Sequence, residues 1–168
     1  MRQSDENDYR EFVLSRLDRL RRTAYLLCRD WHTADDLVSI TLGRVYRHWT
    51  RVRDATNPDA YVRTILTRAW LDEQRRPWRR ESVTDAPPDR ARDVSLSAIS
   101  DRTQLAALLT ALPPRQRAVV VLRFYCDMSV AETAELLGVS EGTVKSQSAR
   151  GLEILRAAAP EHVIGESS

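Results

Sequence analysis

From residue 9 onward, apolar residues return every three or four positions: Tyr9, Val13, Leu17, Leu20, Ala24 and Leu27 are separated by steps of 4, 4, 3, 4 and 3. At 100° per residue such spacing stacks into one helical stripe, with the intervening arginines outside it. A second helix is expected to open at Thr33, with Asp36 three residues later as a capping-box-like start. It should carry Leu37, Ile40 and Val45 and run to about Trp49. "NPDAY" opens a third, because Asn57 can cap and Pro58 suits the first helical position. Tyr61, Val62, Ile65, Leu66, Ala69 and Trp70 continue its apolar pattern, which should stop by Pro77. No segment of useful length alternates as a strand does, so the chain reads as all-α.

The pattern lapses over residues 78–100, "WRRESVTDAPPDRARDVSLSAIS", where paired prolines, aspartates and serines replace any sustained apolar face. This is the composition of a flexible linker. Helical spacing resumes from Asp101 with Leu105, Leu108, Leu109 and Leu112, ends at Pro113 and Pro114, and restarts in "RQRAVVVLRFYCD". Two small helical domains follow, 8–77 and 101–157, with residues 158–168 as a frayed tail.

The last part of the second domain is the most specific. In "SVAETAELLGVSEGTVKSQSARGLEILR", Ser129 and Glu132 form a capping box, Gly138 suits a residue of positive φ after a helix, and Ser140 can cap the next one. Ala134 and Val144 stand where a helix-turn-helix needs a small residue at the crossing and an apolar one in the core. On the second helix, Val144, Ser148, Gly151 and Leu155 share the inward face, and Lys145, Ser146, Ala149, Arg150 and Glu153 the outward one. On an arbitrary helix Lys145 and Arg150 would read as solvated charges. Within a capped helix-turn-helix they face a major groove, where Lys and Arg donate to guanine, Ser bonds phosphate or a base edge, and Ala149 permits close approach.

Charge supports a nucleic-acid partner only through its distribution. The chain carries a net +2, but residues 44–92 hold 12 Arg against 7 acids, a local +5, while residues 1–43 sum to −1 and 93–168 to −2. Lys145 is the sole lysine, and the 25 arginines fit a GC-rich genome. Cys28 and Cys126 lie far apart with no CxxC or Cys/His cluster beside them, so zinc is not expected and reduced, buried thiols are. No apolar run approaches the roughly 20 residues of a membrane span, which places the chain in the cytoplasm.

Taken together, "LPPRQRAVVVLRFYCDMSVAETAELLGVSEGTVKSQSARGLEILR" resembles region four of an extracytoplasmic-function sigma factor of the sigma-70 superfamily. "DWHTADDLVSITLGRVYRHW" followed by "NPDAYVRTILTRAWLDEQRR" resembles its region two. The resemblance covers about residues 8–157 in the family's order, and "GTVKSQSARGL" is most similar to the actinobacterial SigE-like subgroup.

The resemblance implies a two-domain, all-α factor that directs promoter-specific initiation with no cofactor and no catalysis of its own. Its partners would be core RNA polymerase, through the beta-prime clamp helices and the beta flap, promoter DNA, and in some cases an anti-sigma factor. The helix holding "ADDL" corresponds to the clamp-docking helix, which nominates Asp35, Asp36, Leu37, Ser39 and Arg44. Adjacent acids in a first helical turn also favour the helix dipole, so their chemistry suits either role. The next helix and its leading loop correspond to the element that melts and holds the minus-10 strand, nominating Arg53, Arg63, Thr67, Arg68, Arg75 and Arg76. Single-strand binding needs a basic groove with aromatic surfaces, and Tyr61, Trp70 and Trp78 lie nearby, although Tyr61 and Trp70 fall in the apolar stripe and read as core. Many family members carry Asn where Arg68 stands, so that base contact is not carried over. For the minus-35 element the matching positions are Thr143, Lys145, Ser146, Ala149 and Arg150.

Two other classes compete. An enzyme is disfavoured because Asp35 and Asp36 point about 100° apart, His32, His48 and His162 have no ligand spacing, and 5 glycines form no phosphate loop. A non-sigma helix-turn-helix regulator with an N-terminal dimerisation or partner domain is the closer rival, and it would bind duplex DNA without polymerase.

Overall fold

The computed structural model describes residues 2–75 and 106–158. The expected linker at 78–100, Arg76, Trp78 and the tail after Ala158 lie outside them. The chain divides into two compact units, Met1–Asp85 and Ala86–Ser168. Every described element is helical.

In the first unit α1 spans Gln3–Cys28, α2 Trp31–Arg47, α3 Trp49–Arg53 and α4 Pro58–Gln74. The stripe of α1 packs as its spacing predicts, with Ala24 and Leu27 fully buried and Tyr9, Val13, Leu17 and Leu20 half-buried. A core forms from Val45, Trp49, Val52 and Val62, against which Tyr9, Phe12, Leu20, Tyr61 and Ile65 pack. Tyr9 and Phe12 meet Trp49 edge to face at centroid distances of 5.7 and 5.3 Å. Trp70 is buried, in keeping with its place in the apolar stripe. Each fully buried leucine, such as Leu27, Leu37 or Leu66, contributes about 1.5–3 kcal/mol to holding the helices together.

In this unit three expectations change. The cap of α2 is Asp30, not Thr33: its carboxylate accepts from the Thr33 amide at 2.9 Å and the Thr33 hydroxyl at 2.6 Å. Thr33 therefore stands in the first turn and is buried, because an Asp ahead of the expected start satisfies the orphan amides better. The helix also ends at Arg47, and a break at His48 starts α3 as a separate turn. Ile40, expected in the core, is 40% exposed, since the buried side of α2 is set by Ala34, Leu37, Val38, Thr41 and Val45. The start of α4 is as expected, with Asn57 Oδ1 accepting from the Ala60 amide at 3.1 Å and Pro58 in the first turn.

The second unit contains helical residues 106–109, α5 at Pro114–Val120, a π-helical stretch Val121–Tyr125, α6 at Val130–Leu137 and α7 at Glu141–Ala158. Pro114 begins α5 instead of interrupting it, because proline lacks only an amide that a first turn leaves unpaired. Val119, Ala134 and Val144 form the core at the helix-turn-helix, surrounded by Val130, Leu137 and Val139. Cys28 and Cys126 are each buried, and the Cys28 thiol donates to the Asp30 carbonyl at 3.2 Å.

Candidate functional site

The helix-turn-helix is built from local hydrogen bonds that leave little freedom in how α7 is presented. At the start of α6 the Ser129 hydroxyl accepts from the Glu132 amide at 3.0 Å and the Glu132 carboxylate accepts from the Ser129 amide at 3.1 Å. At its end Gly138 has φ 70°, with the Gly138 amide bonded to the Glu135 carbonyl at 3.3 Å and the Val139 amide to the Ala134 carbonyl at 3.0 Å. This is a Schellman ending, in which a glycine takes the left-handed conformation without a Cβ penalty and Val139 packs back on the helix it terminates. Ser140 then caps α7 by accepting from the Thr143 amide at 3.1 Å.

The two faces of α7 separate as the spacing predicts. Val144 and Gly151 are buried and Ser148 and Leu155 half-buried, while Lys145, Ser146, Ala149, Arg150 and Glu153 are exposed. Thr143 is half-buried and its hydroxyl lies 2.9 Å from that of Ser140, so it belongs to the cap. Ser146 donates to the Thr143 carbonyl at 3.1 Å, which leaves its exposed oxygen able to accept. Two cations, a hydroxyl and a small residue thus share one exposed helical surface.

In the first unit the nominated residues do not share one surface. Asp36, Ser39, Ile40, Gly43 and Arg47 are all exposed on one side of α2, an apolar residue within a polar rim. Asp35 is exposed too, but both its oxygens are held by Arg21 at 2.8 and 3.4 Å, and Arg21 also lies over the Trp31 ring. The hydrogen bond to Asp35 raises the Arg21 pKa above its ordinary value. Leu37 is buried, as its place in the apolar stripe predicts, so it supports this face from beneath and does not itself offer the surface contact that the resemblance implies.

On α4, Arg68, Asp72 and Arg75 are exposed at positions i, i+4 and i+7, and Arg44 of α2 reaches Asp72 at 3.7 Å. Arg44 therefore stands between the two surfaces, at the edge of the α2 face that holds Ile40 and beside the α4 stripe, a placement that spacing within α2 alone does not reveal. Arg63 is half-buried. Thr67 faces the core, fully buried, with its hydroxyl donating to the Arg63 carbonyl at 2.9 Å; it is withdrawn from the basic surface because its one polar group is satisfied inside its own helix. Arg53 ends α3, exposed, and donates to Asp5 at 2.9 Å and Asp54 at 3.2 Å.

Residues 12–80 match the family described as Sigma-70 region 2, and residues 102–155 match Sigma-70, region 4. The chain belongs to the sigma-70 family. It is similar to the RNA polymerase sigma-E factor of Streptomyces avermitilis, at 38% identity over 89% of this chain and 83% of that one. The sigma-E factor of Streptomyces coelicolor is also 38% identical, over 89% of this chain and 84% of its own. The ECF RNA polymerase sigma factor SigL of Mycobacterium tuberculosis is 33% identical over 82% and 80%. The fold is shared with the sigma factor RpoE of Bartonella quintana, solved in complex with the anti-sigma factor NepR, with a TM-score of 0.67 at 23% identity over 89% of this chain and 95% of that one. This chain is thus an RNA polymerase sigma factor of the extracytoplasmic-function type, a transcription initiation factor. No helix of this sigma factor among the described residues is long and apolar enough to cross a membrane.

Proposed function

We propose that this sigma factor binds core RNA polymerase through its first unit, opens and holds the minus-10 element there, and reads the minus-35 element with α7. The domain limits proposed for these tasks are 8–77 and 101–157, joined by 78–100. The observation that carries the reading is the outward face of α7, where Lys145, Ser146, Ala149 and Arg150 are all exposed on a helix fixed at its start by the Ser140 cap. An α-helix fits the major groove, and a bidentate contact there supplies about 1–3 kcal/mol of base discrimination.

The exposed side of α2 around Asp36, Ser39 and Ile40 suits the beta-prime clamp helices, because an apolar centre within a polar rim is how protein interfaces are built. The Arg68 and Arg75 stripe of α4, with Arg63, Arg53 and Arg76, suits the phosphates of a separated strand. The second unit would also meet the beta flap, and an anti-sigma factor would act by covering these same faces. The protein works without catalysis of its own, without a cofactor, and in the cytoplasm.

Run-off transcription with core polymerase on templates randomised across the upstream hexamer tests the reading. Lys145→Ala, Ser146→Ala and Arg150→Ala are each expected to lower yield, and Arg150→Ala by about ten-fold with relaxed preference at one base pair. If none of the three alters preference or yield, α7 does not read DNA. Stable binding to a palindromic duplex without polymerase would favour the helix-turn-helix regulator instead.

A further inference from the structure

The first turn of α1 places two carboxylates on two exposed groups of the same unit. Asp5 accepts from Arg53 Nη1 at 2.9 Å, and the Tyr46 hydroxyl donates to Glu6 Oε1 at 3.4 Å. These contacts join residues 48 and 40 positions apart, so they are tertiary and not a by-product of helix spacing. Tyr46 is 41% exposed at the end of α2, where it meets Tyr9 edge to face at 5.1 Å. Arg53 is exposed at the end of α3. Because Asp5 and Glu6 are consecutive, the tyrosine and the arginine approach a single turn of one helix.

An exposed aromatic ring beside an exposed guanidinium is the pair of groups that a single nucleic-acid strand needs, one for a base face and one for a phosphate. A carboxylate on that guanidinium occupies the position a phosphate oxygen would take. We propose that Tyr46 and Arg53 form one contact surface for a single nucleic-acid strand, and that Asp5, beside the neighbouring Asp54 on the same guanidinium, and Glu6 on the tyrosine hydroxyl hold its polar groups until the strand displaces Asp5 and Glu6. The proposal rests on the reading of Arg53 as a strand contact and adds Tyr46 as a stacking platform and the first turn of α1 as its competitor. Asp5 and Glu6 also complement the positive end of the helix dipole, a role that places acids there but does not aim them at Tyr46 and Arg53.

The test is fluorescence anisotropy of the full chain with a labelled oligothymidylate of about twelve nucleotides, a length within the range of single-strand sites. Binding is measured across a sodium chloride series. The double variant Asp5→Asn, Glu6→Gln is expected to tighten binding roughly two- to five-fold, the scale of an exposed ion pair. It should also steepen the salt dependence by about 0.7 in the logarithmic slope, the signature of one more phosphate contact. Tyr46→Leu keeps apolar packing on Tyr9 and removes the aromatic face, and should weaken binding by about five-fold or more. Arg53→Ala should weaken binding and abolish the gain from the acid changes. If Arg53→Ala weakens binding while the acid variant binds as the parent does, the competition is overturned and Arg53 survives as a strand contact. If Arg53→Ala changes nothing, the strand-contact reading fails and takes the proposal with it. A gain that persists when all three changes are combined is a general charge effect and overturns the competition as well.

Discussion

Gly151 of α7 lies so close to α5 that a Cβ built on it would stand 2.7 Å from Val120 Cγ2. Alanine in a helix interior normally gains about 0.5–1 kcal/mol over glycine, but a forced contact in a packed core costs about 1–3 kcal/mol, so Gly151→Ala should destabilise the second unit. The remedy is equally local. Adding Val120→Ala should recover part of the loss by removing the opposing methyl. Amide hydrogen exchange in α5 and α7 reads both effects, and protection in Gly151→Ala equal to that of the parent would show that α5 yields at no cost.

Asp30 makes the stability of the first unit depend on acid. Burial works to raise its pKa, but the hydrogen bonds from the Thr33 hydroxyl and amide outweigh that and hold it below the ordinary carboxylate value. A group whose folded pKa is depressed stabilises the fold above its unfolded pKa, about 3.9 for Asp, and loses that contribution as pH falls through the folded value. Asp30→Ala should cost about 0.5–2 kcal/mol near neutral pH, the usual range for removing a cap. Asp30→Asn should retain more and lack this part of the acid dependence. Tryptophan fluorescence isolates the unit, since Trp31, Trp49, Trp70 and Trp78 all precede residue 86. An Asp30→Asn profile parallel to that of the parent below pH 4 would contradict the assignment.

The helix-turn-helix was legible to the residue because its signals are short-range. Ser129 with Glu132, Gly138 and Ser140 each act within five residues, and the structure uses each as its chemistry suggests. The first unit was legible in its helices and less so in its surfaces. Leu37 falls in the apolar stripe of its helix and is nominated for the interface only through the resemblance, whereas Thr67 is grouped with the arginines of α4 by spacing. The burial of Thr67 was decided by a hydroxyl that satisfies itself on Arg63, and that of Leu37 by where α2 meets its neighbours. Asp5 on Arg53, Arg21 on Asp35 and Asp72 on Arg44 are tertiary pairs, and no periodicity announces which acid meets which arginine.

That distinction changes how the polymerase contact is tested. Reversing Asp35 and Asp36 together would also break the Arg21 pair, so the two must be separated. Asp36→Lys should slow association with core polymerase several-fold, more at low salt than at high, because a rim charge acts chiefly through the encounter rate. Asp35→Asn should act mainly on the packing of α1 against α2. Association kinetics at two salt concentrations, with thermal unfolding alongside, distinguish them. Equal and unchanged association for both variants would remove the acids from the interface.

Strand capture makes a different demand on α4. Arg75 ends the stripe begun by Arg68, with Asp72 between them already engaged by Arg44, so under the proposed strand contact the cations at the two ends are the ones that would meet phosphate. Opening a duplex costs stacking and pairing energy, and a factor that holds the separated strand offsets it. On a template already mismatched across the minus-10 region that energy is supplied beforehand, which leaves less for the arginines to contribute. Arg75→Ala combined with Arg76→Ala should therefore reduce open-complex formation on intact duplex more than on the pre-melted bubble, and Arg68→Ala should do the same to a smaller extent. General attraction to DNA would weaken both templates alike, since removing a phosphate-binding cation changes affinity and salt dependence regardless of pairing. Permanganate reactivity of unpaired thymines on the two templates provides the measurement, and an equal loss on both would assign these arginines to general binding.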